Sequence, residues 1–184
     1  MQSNAKDKEH VCINLEYACS NLAILGLVAS AAFFTSLIGY EGYSSKPYKD
    51  TGGVATIGIG STKYEDGTSV KITDKPIDKK RAVQIAQAHI SKDEQAFRKS
   101  LQGVKLSQVE YDVYLDFMYN FGQSNWRSSS MLSNLKAGQY VAACKSLLKW
   151  KYVAKRDCSI RSNGCYGVWT RQVDRYNKCM GANS

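Results

Sequence analysis

Two carboxyl residues nine positions apart, Glu41 and Asp50, are the first candidates for chemistry. Glu41 ends a long apolar stretch, and apolar surroundings favour the neutral form of a carboxyl group. Asp50 stands in a polar, glycine-flanked segment that suits the ionised form. A proton donor paired with an anion is what glycosidic bond cleavage needs: one protonates the leaving oxygen, the other handles a water or the oxocarbenium ion. Thr56 lies six residues further on, and its hydroxyl could share a water with Asp50. Read without that chemistry, a Glu ending a helix and an Asp entering a turn are ordinary solvated residues.

The elements around these residues must place them. Gly52-Gly53 between two β-prone stretches signals a hairpin. A three-residue loop Gly52-Gly53-Val54 puts Asp50 directly opposite Thr56, whereas a Gly-Gly loop turns Thr56 to the other face. Gly58 and Gly60 interrupt the second strand, and Thr68–Thr73 alternates as a possible third. The remainder reads as helix. One amphipathic run covers Lys79–Leu101 after Asp78 as N-cap, and another starts at the capping box Ser107/Glu110. Val109, Val113, Leu115, Phe117 and Phe121 form the apolar stripe of that second run, and Gly103 and Gly138 read as helix terminators. His89 is expected at the surface or its boundary.

Composition excludes some chemistry and leaves other partners open. With only His10 and His89 and no Cys-x-x-Cys pair, a three-histidine metal site and a zinc knuckle are ruled out, and no metal or cofactor is expected. Of the formal charge of +9, residues 124–184 carry 11 basic and two acidic side chains. Such a field concentrates polyanions, among them cell wall, anionic lipid and nucleic acid. Leu22–Gly39 is 18 residues without a charge but diluted by Gly, Ala, Ser and Thr. It reads as a membrane-inserting segment, a signal cleaved near Ala29-Ser30-Ala31, or a buried core helix. Six cysteines suggest an oxidising compartment and allow 15 pairings. A bridge between Cys158 and Cys165 can span the Ser162-Asn163-Gly164 turn, and Cys12 and Cys19 could close only a non-helical loop.

The array Glu41-x8-Asp50-x5-Thr56 within YKDTGGVATIGIG resembles the active-site motif of the phage-type lysozymes, glycoside hydrolase family 24. Leu106–Gly122 resembles that family's central helix, Trp126–Leu132 the next segment and Gly167–Cys179 its closing helix. The resemblance covers about residues 33–180 and departs at Ser61, where many relatives carry histidine. It implies an α+β, lysozyme-like fold: a small antiparallel hairpin lobe, a larger helical lobe and an N-terminal apolar helix. It also implies a muramidase acting on the β-1,4 bond between N-acetylmuramic acid and N-acetylglucosamine. Glu41 would then be the acid, Asp50 and Thr56 would hold the attacking water, and Asn120 and Arg171 would line the cleft. The resemblance supports pairing Cys144 with Cys179, and it implies peptidoglycan rather than nucleic acid as partner and a monomeric enzyme. Some members tether an inactive enzyme to the host inner membrane through a weakly apolar N-terminal helix and release it into the periplasm. On that basis residues 1–31 are expected to be a leader or anchor and 32–184 the catalytic domain. A lytic transglycosylase and a non-catalytic, membrane-anchored binding protein are the alternatives.

Overall fold

The computed structural model describes residues 22–23, 26–50 and 52–183. The element order is β1 (Leu22–Ala23), α1 (Ala31–Glu41), β2 (Ser44–Lys49), β3 (Ala55–Gly58), α2 (Lys79–Ser100), β4 (Lys105–Leu106) and α3 (Gln108–Phe121). There follow α4 (Gln123–Arg127), α5 (Ser130–Lys136), α6 (Tyr140–Ser146), β5 (Tyr152–Val153), β6 (Arg156–Asp157) and α7 (Tyr166–Gly181). Three antiparallel pairs, β1 with β4, β2 with β3 and β5 with β6, accompany a mostly helical body. This is the α+β arrangement of a small hairpin beside a larger helical lobe.

The local signals act as their chemistry dictates. Asp78 caps α2 by accepting from the Arg81 amide, and Ser107 and Glu110 cap α3 reciprocally. Around α3 the core gathers Phe97, Tyr111, Tyr114, Phe117 and a fully buried Trp126, with aromatic centroids about Trp126 at 5.1 to 6.4 Å. Val113, Leu115 and Phe117 are buried in it and Phe121 packs against it, but Val109 is exposed, although its neighbours Glu110 and Tyr111 are buried. Thr68–Thr73 forms no strand. Within it Ser69 makes a single bridge to Lys63, and Val70 is buried.

The apolar segment is not one helix in this form. Helix α1 begins only at Ala31, capped by the Ser30 hydroxyl. The stretch before it is held by side chains of the body: Gln108 donates to the Val28 carbonyl (2.8 Å), and the Ala29 amide donates to Glu94 (2.9 Å). The Ser30 amide and hydroxyl both donate to Asp112. Leu27, Ala29, Phe33, Phe34 and Leu37 are buried in the common core, so the core reaches upstream of residue 31. Cys144 is bonded to Cys179, tying α6 to α7, and Cys158 to Cys165. Cys12 and Cys19 lie outside the described residues.

Candidate active site

Glu41 is the last residue of α1, and the chain turns away at Gly42, whose φ of 80° lies in the left-handed region. The carboxylate is not in the apolar surroundings that the sequence suggests. Its side chain is 38% exposed, and Oε1 accepts from Arg171 Nη1 at 2.8 Å. Arg171 itself lies under cover on α7, its guanidinium 4.4 Å from the Tyr40 ring centroid. Burial works to lower the Arg171 pKa, but the Asp116 and Glu41 carboxylates outweigh it and raise it. The Arg171 cation is therefore permanent.

Asp116, which no local motif marks, is the centre of this arrangement. Arg171 donates to it from Nη2 (2.6 Å) and Nε (3.3 Å), and Arg175 from Nε (2.7 Å). Asn120 donates to the Asp116 carbonyl (2.9 Å) from the same helix, leaving its own Oδ1 for other partners. Tyr40 donates to Asp174 (2.7 Å); its hydroxyl is pushed up to about 12, first by burial and then by that bond. The signals that point to this network are pairs four apart, Asp116 with Asn120 on α3 and Arg171 with Arg175 on α7. A buried basic pair requires a buried acid.

The hairpin carries the second carboxylate. Lys49 pairs with Ala55 and Tyr48 with Thr56, so the loop lies between Asp50 and Val54 and is not Gly52–Val54. Asp50 therefore stands opposite Val54, to whose carbonyl its amide donates at 3.0 Å. Thr56 is diagonal to Asp50 but on the same face, since the shift is an even number of residues. The Asp50 side chain explains this register. Its Oδ1 accepts from the Gly52 and Val54 amides, both at 2.9 Å, and stitches the turn shut. A Cβ at Gly52 would meet that oxygen at 3.3 Å. The other oxygen, Oδ2, has no partner among the described residues. Thr56 is buried, and its hydroxyl donates to the Val54 carbonyl at 3.1 Å.

Glu41, Arg171 and Asn120 are thus joined through Asp116, while Asp50 and Thr56 share a hairpin face with no direct bond to Glu41. A cavity of about 200 Å³ lies between the turn at Ile59–Lys63, His89 of α2 and Tyr119 of α3. Burial raises the Tyr119 pKa, and the charge of Glu41 adds to that rise. Ser61 lines it and exchanges two backbone bonds with Ile57 (2.9 and 3.0 Å), so its backbone serves the turn. His89, half-buried, contacts the Lys63 carbonyl through Nε2 at 2.6 Å.

Comparison with known proteins bears on the fold and the family. The chain is 30% identical over 167 residues to a probable prophage lysozyme of Escherichia coli strain K12, covering 87% of this chain and 91% of that protein. It is 29% identical over 164 residues to the SAR-endolysin of Escherichia phage 933W, covering 86% and 90%. The crystal structure of a P22 lysozyme mutant superposes with a TM-score of 0.69 at 29% identity, over 82% of this chain and 97% of that one. The family described as phage lysozyme matches residues 38–174, most of the chain, and the chain belongs to that family.

Proposed function

We propose that the chain is an endolysin muramidase that hydrolyses the β-1,4 bond between N-acetylmuramic acid and N-acetylglucosamine of peptidoglycan with inversion, so lysing the host cell. The observation that carries this reading is the unlike bonding of the two carboxylates. Glu41 Oε1 is occupied by Arg171, so an acidic proton belongs on Oε2, the oxygen available to a leaving group. Asp50 is anchored through Oδ1 by two amides, which leaves Oδ2 to hold a water. The Thr56 hydroxyl on the same face would orient that water after turning from the Val54 carbonyl. Arg171 holds Glu41, and Asn120 offers its Oδ1 to the substrate. No metal or cofactor enters these steps.

Similarity to proteins named SAR-endolysins supports a delivery route in which the N-terminal apolar segment holds the enzyme in the inner membrane before release to the periplasm. No helix of the described residues is long and apolar enough to cross a membrane. The form in which Leu27, Phe33, Phe34 and Leu37 are packed in the core would be the released one. The basic last third would favour the wall, whose stem peptides carry carboxylates.

Turbidity loss of permeabilised Gram-negative cells tests the reading. Glu41→Gln should lower the rate by at least about 10³-fold, since the acid's proton is lost. Asp50→Asn should do the same in a hydrolase, whereas a lytic transglycosylase would tolerate it and release anhydro-sugars. Full lysis by Glu41→Gln would sink both enzymatic readings.

A further inference from the structure

Residues 151–166 take no part in the site above, yet they combine three features that a passive loop has no need of. The first is strain. Val153 pairs with Arg156, so Ala154 and Lys155 form a two-residue turn, with φ of 46° and 65°. Such turns ordinarily use glycine or asparagine, because side-chain-bearing residues disfavour the left-handed region. The second is rigidity. Lys151 pairs with Asp157 (2.7 Å), Asn163 donates to the Asp157 carbonyl (2.8 Å), and the Cys158–Cys165 bond closes the segment. The third is what the rigid hairpin displays. Tyr152 and Ile160 are 57% and 51% exposed, among the most exposed large apolar side chains of the described residues. Lys155, Arg156 and Arg161 are exposed in the same segment, Arg156 on the hairpin face opposite to Tyr152, and the only acid of the segment, Asp157, is already taken by Lys151. Arg161 lies over the Tyr166 ring at 4.1 Å.

We propose that this stapled hairpin docks the enzyme on an anionic phospholipid surface. Lys155, Arg156 and Arg161 would meet lipid phosphates, while Tyr152 and Ile160 sink to the boundary between headgroups and acyl chains. Charge alone would suit wall carboxylates or nucleic acid equally well. An exposed Ile160 distinguishes the lipid, because an aliphatic side chain gains from acyl chains and little from a charged glycan or a phosphate backbone. The strained turn is explained by the same role: glycine would relax the backbone at Lys155 but remove a cation from the tip.

The test is co-sedimentation of the full chain with phosphatidylglycerol–phosphatidylcholine vesicles and with pure phosphatidylcholine vesicles, at low and high salt. Every variant retains the same N-terminal segment, so differences report the hairpin. The wild type should bind the anionic vesicles more tightly, and salt should weaken that binding. Lys155→Gln with Arg156→Gln should weaken it about thirty-fold, from ~1 kcal/mol per cation near the surface. Ile160→Ser should weaken it roughly fivefold at either salt. Lys155→Gly should raise the melting temperature and still weaken binding. Hydrolysis of soluble glycan fragments should stay at the wild-type rate in all variants. Equal binding of the wild type to neutral and anionic vesicles overturns the proposal. So do variants that bind like the wild type, or a fall in glycan hydrolysis, which would assign the hairpin to the cleft.

Discussion

Asp116 concentrates the electrostatics of the site in one side chain. Two guanidiniums converge on it, and one of them carries Glu41 on its remaining nitrogen. The Asp116 side chain is 12% exposed and that of Arg175 only 3%, so removing the acid leaves a buried cation without its partner. Breaking a buried pair from one side costs about 3–5 kcal/mol. Asp116→Ala should therefore lose about that much stability in urea unfolding. Asp116→Asn, which keeps the shape and some acceptor capacity, should lose less. In the folded fraction of either variant kcat should fall more than KM, because Arg171 then holds Glu41 in altered geometry. Unchanged kcat in a folded Asp116→Asn would separate Asp116 from the chemistry. The parts of Asp116 and Arg175 in this network were not legible residue by residue in the sequence. Glu41, Asp50 and Thr56 stand out through a local motif, but Asp116 acquires its meaning from α7, some 55 residues away.

At the scale of elements, what could be read was whatever local chemistry decides. Caps at Asp78 and Ser107 mark the starts of α2 and α3, and Gly52-Gly53 marks the hairpin. The face shared by Asp50 and Thr56 followed from period two, but the partner of Asp50 is displaced by two residues, from Thr56 to Val54, because the Asp50 carboxylate itself closes the turn. The start of α1 could not be read, since it depends on Glu94 and Asp112 from distant helices capturing residues 29 and 30. That capture has a titration. Burial raises the Asp112 pKa, although bonds from Ser30 act the other way. A carboxyl group whose folded pKa is raised binds its proton more tightly in the folded chain than in the unfolded one. Its favourable contribution is therefore complete below the ordinary carboxylate value of about 3.9 and is lost as pH rises through the folded pKa. The stability of the wild type minus that of Asp112→Asn should fall over that window and then level off. Urea unfolding at stepped pH measures it, and a difference that rises with pH would contradict the account.

The whole molecule sets two demands on one apolar segment. Helix α1 has 11 residues, about 16 Å at 1.5 Å per residue, against a hydrocarbon core of about 30 Å. Spanning would require the helix to extend upstream through the extended stretch that now lies along Glu94, Gln108 and Asp112. The β1–β4 pairing would open, and Leu27, Phe33, Phe34 and Leu37 would leave the core. At about 1.5–3 kcal/mol for each buried side chain, those four alone represent roughly 6–12 kcal/mol, comparable with the stability of a whole domain. The inserted chain therefore cannot keep an intact lobe around α1, and Glu41 loses the geometry that Arg171 gives it. Insertion and an assembled site exclude each other, so under the proposed delivery route the membrane form should be inactive without any separate inhibitor. Membrane-bound enzyme, freshly fractionated and assayed on wall fragments, should show less than about 1% of the rate of the released enzyme, rising as the segment leaves the bilayer. Protease protection of Glu94-proximal α2 sites should appear with the same time course, because docking of residues 28–30 and assembly of the site are one event. An inserted chain that cleaves at the released rate would mean that Glu41 reaches the cleft without α1 in its core position.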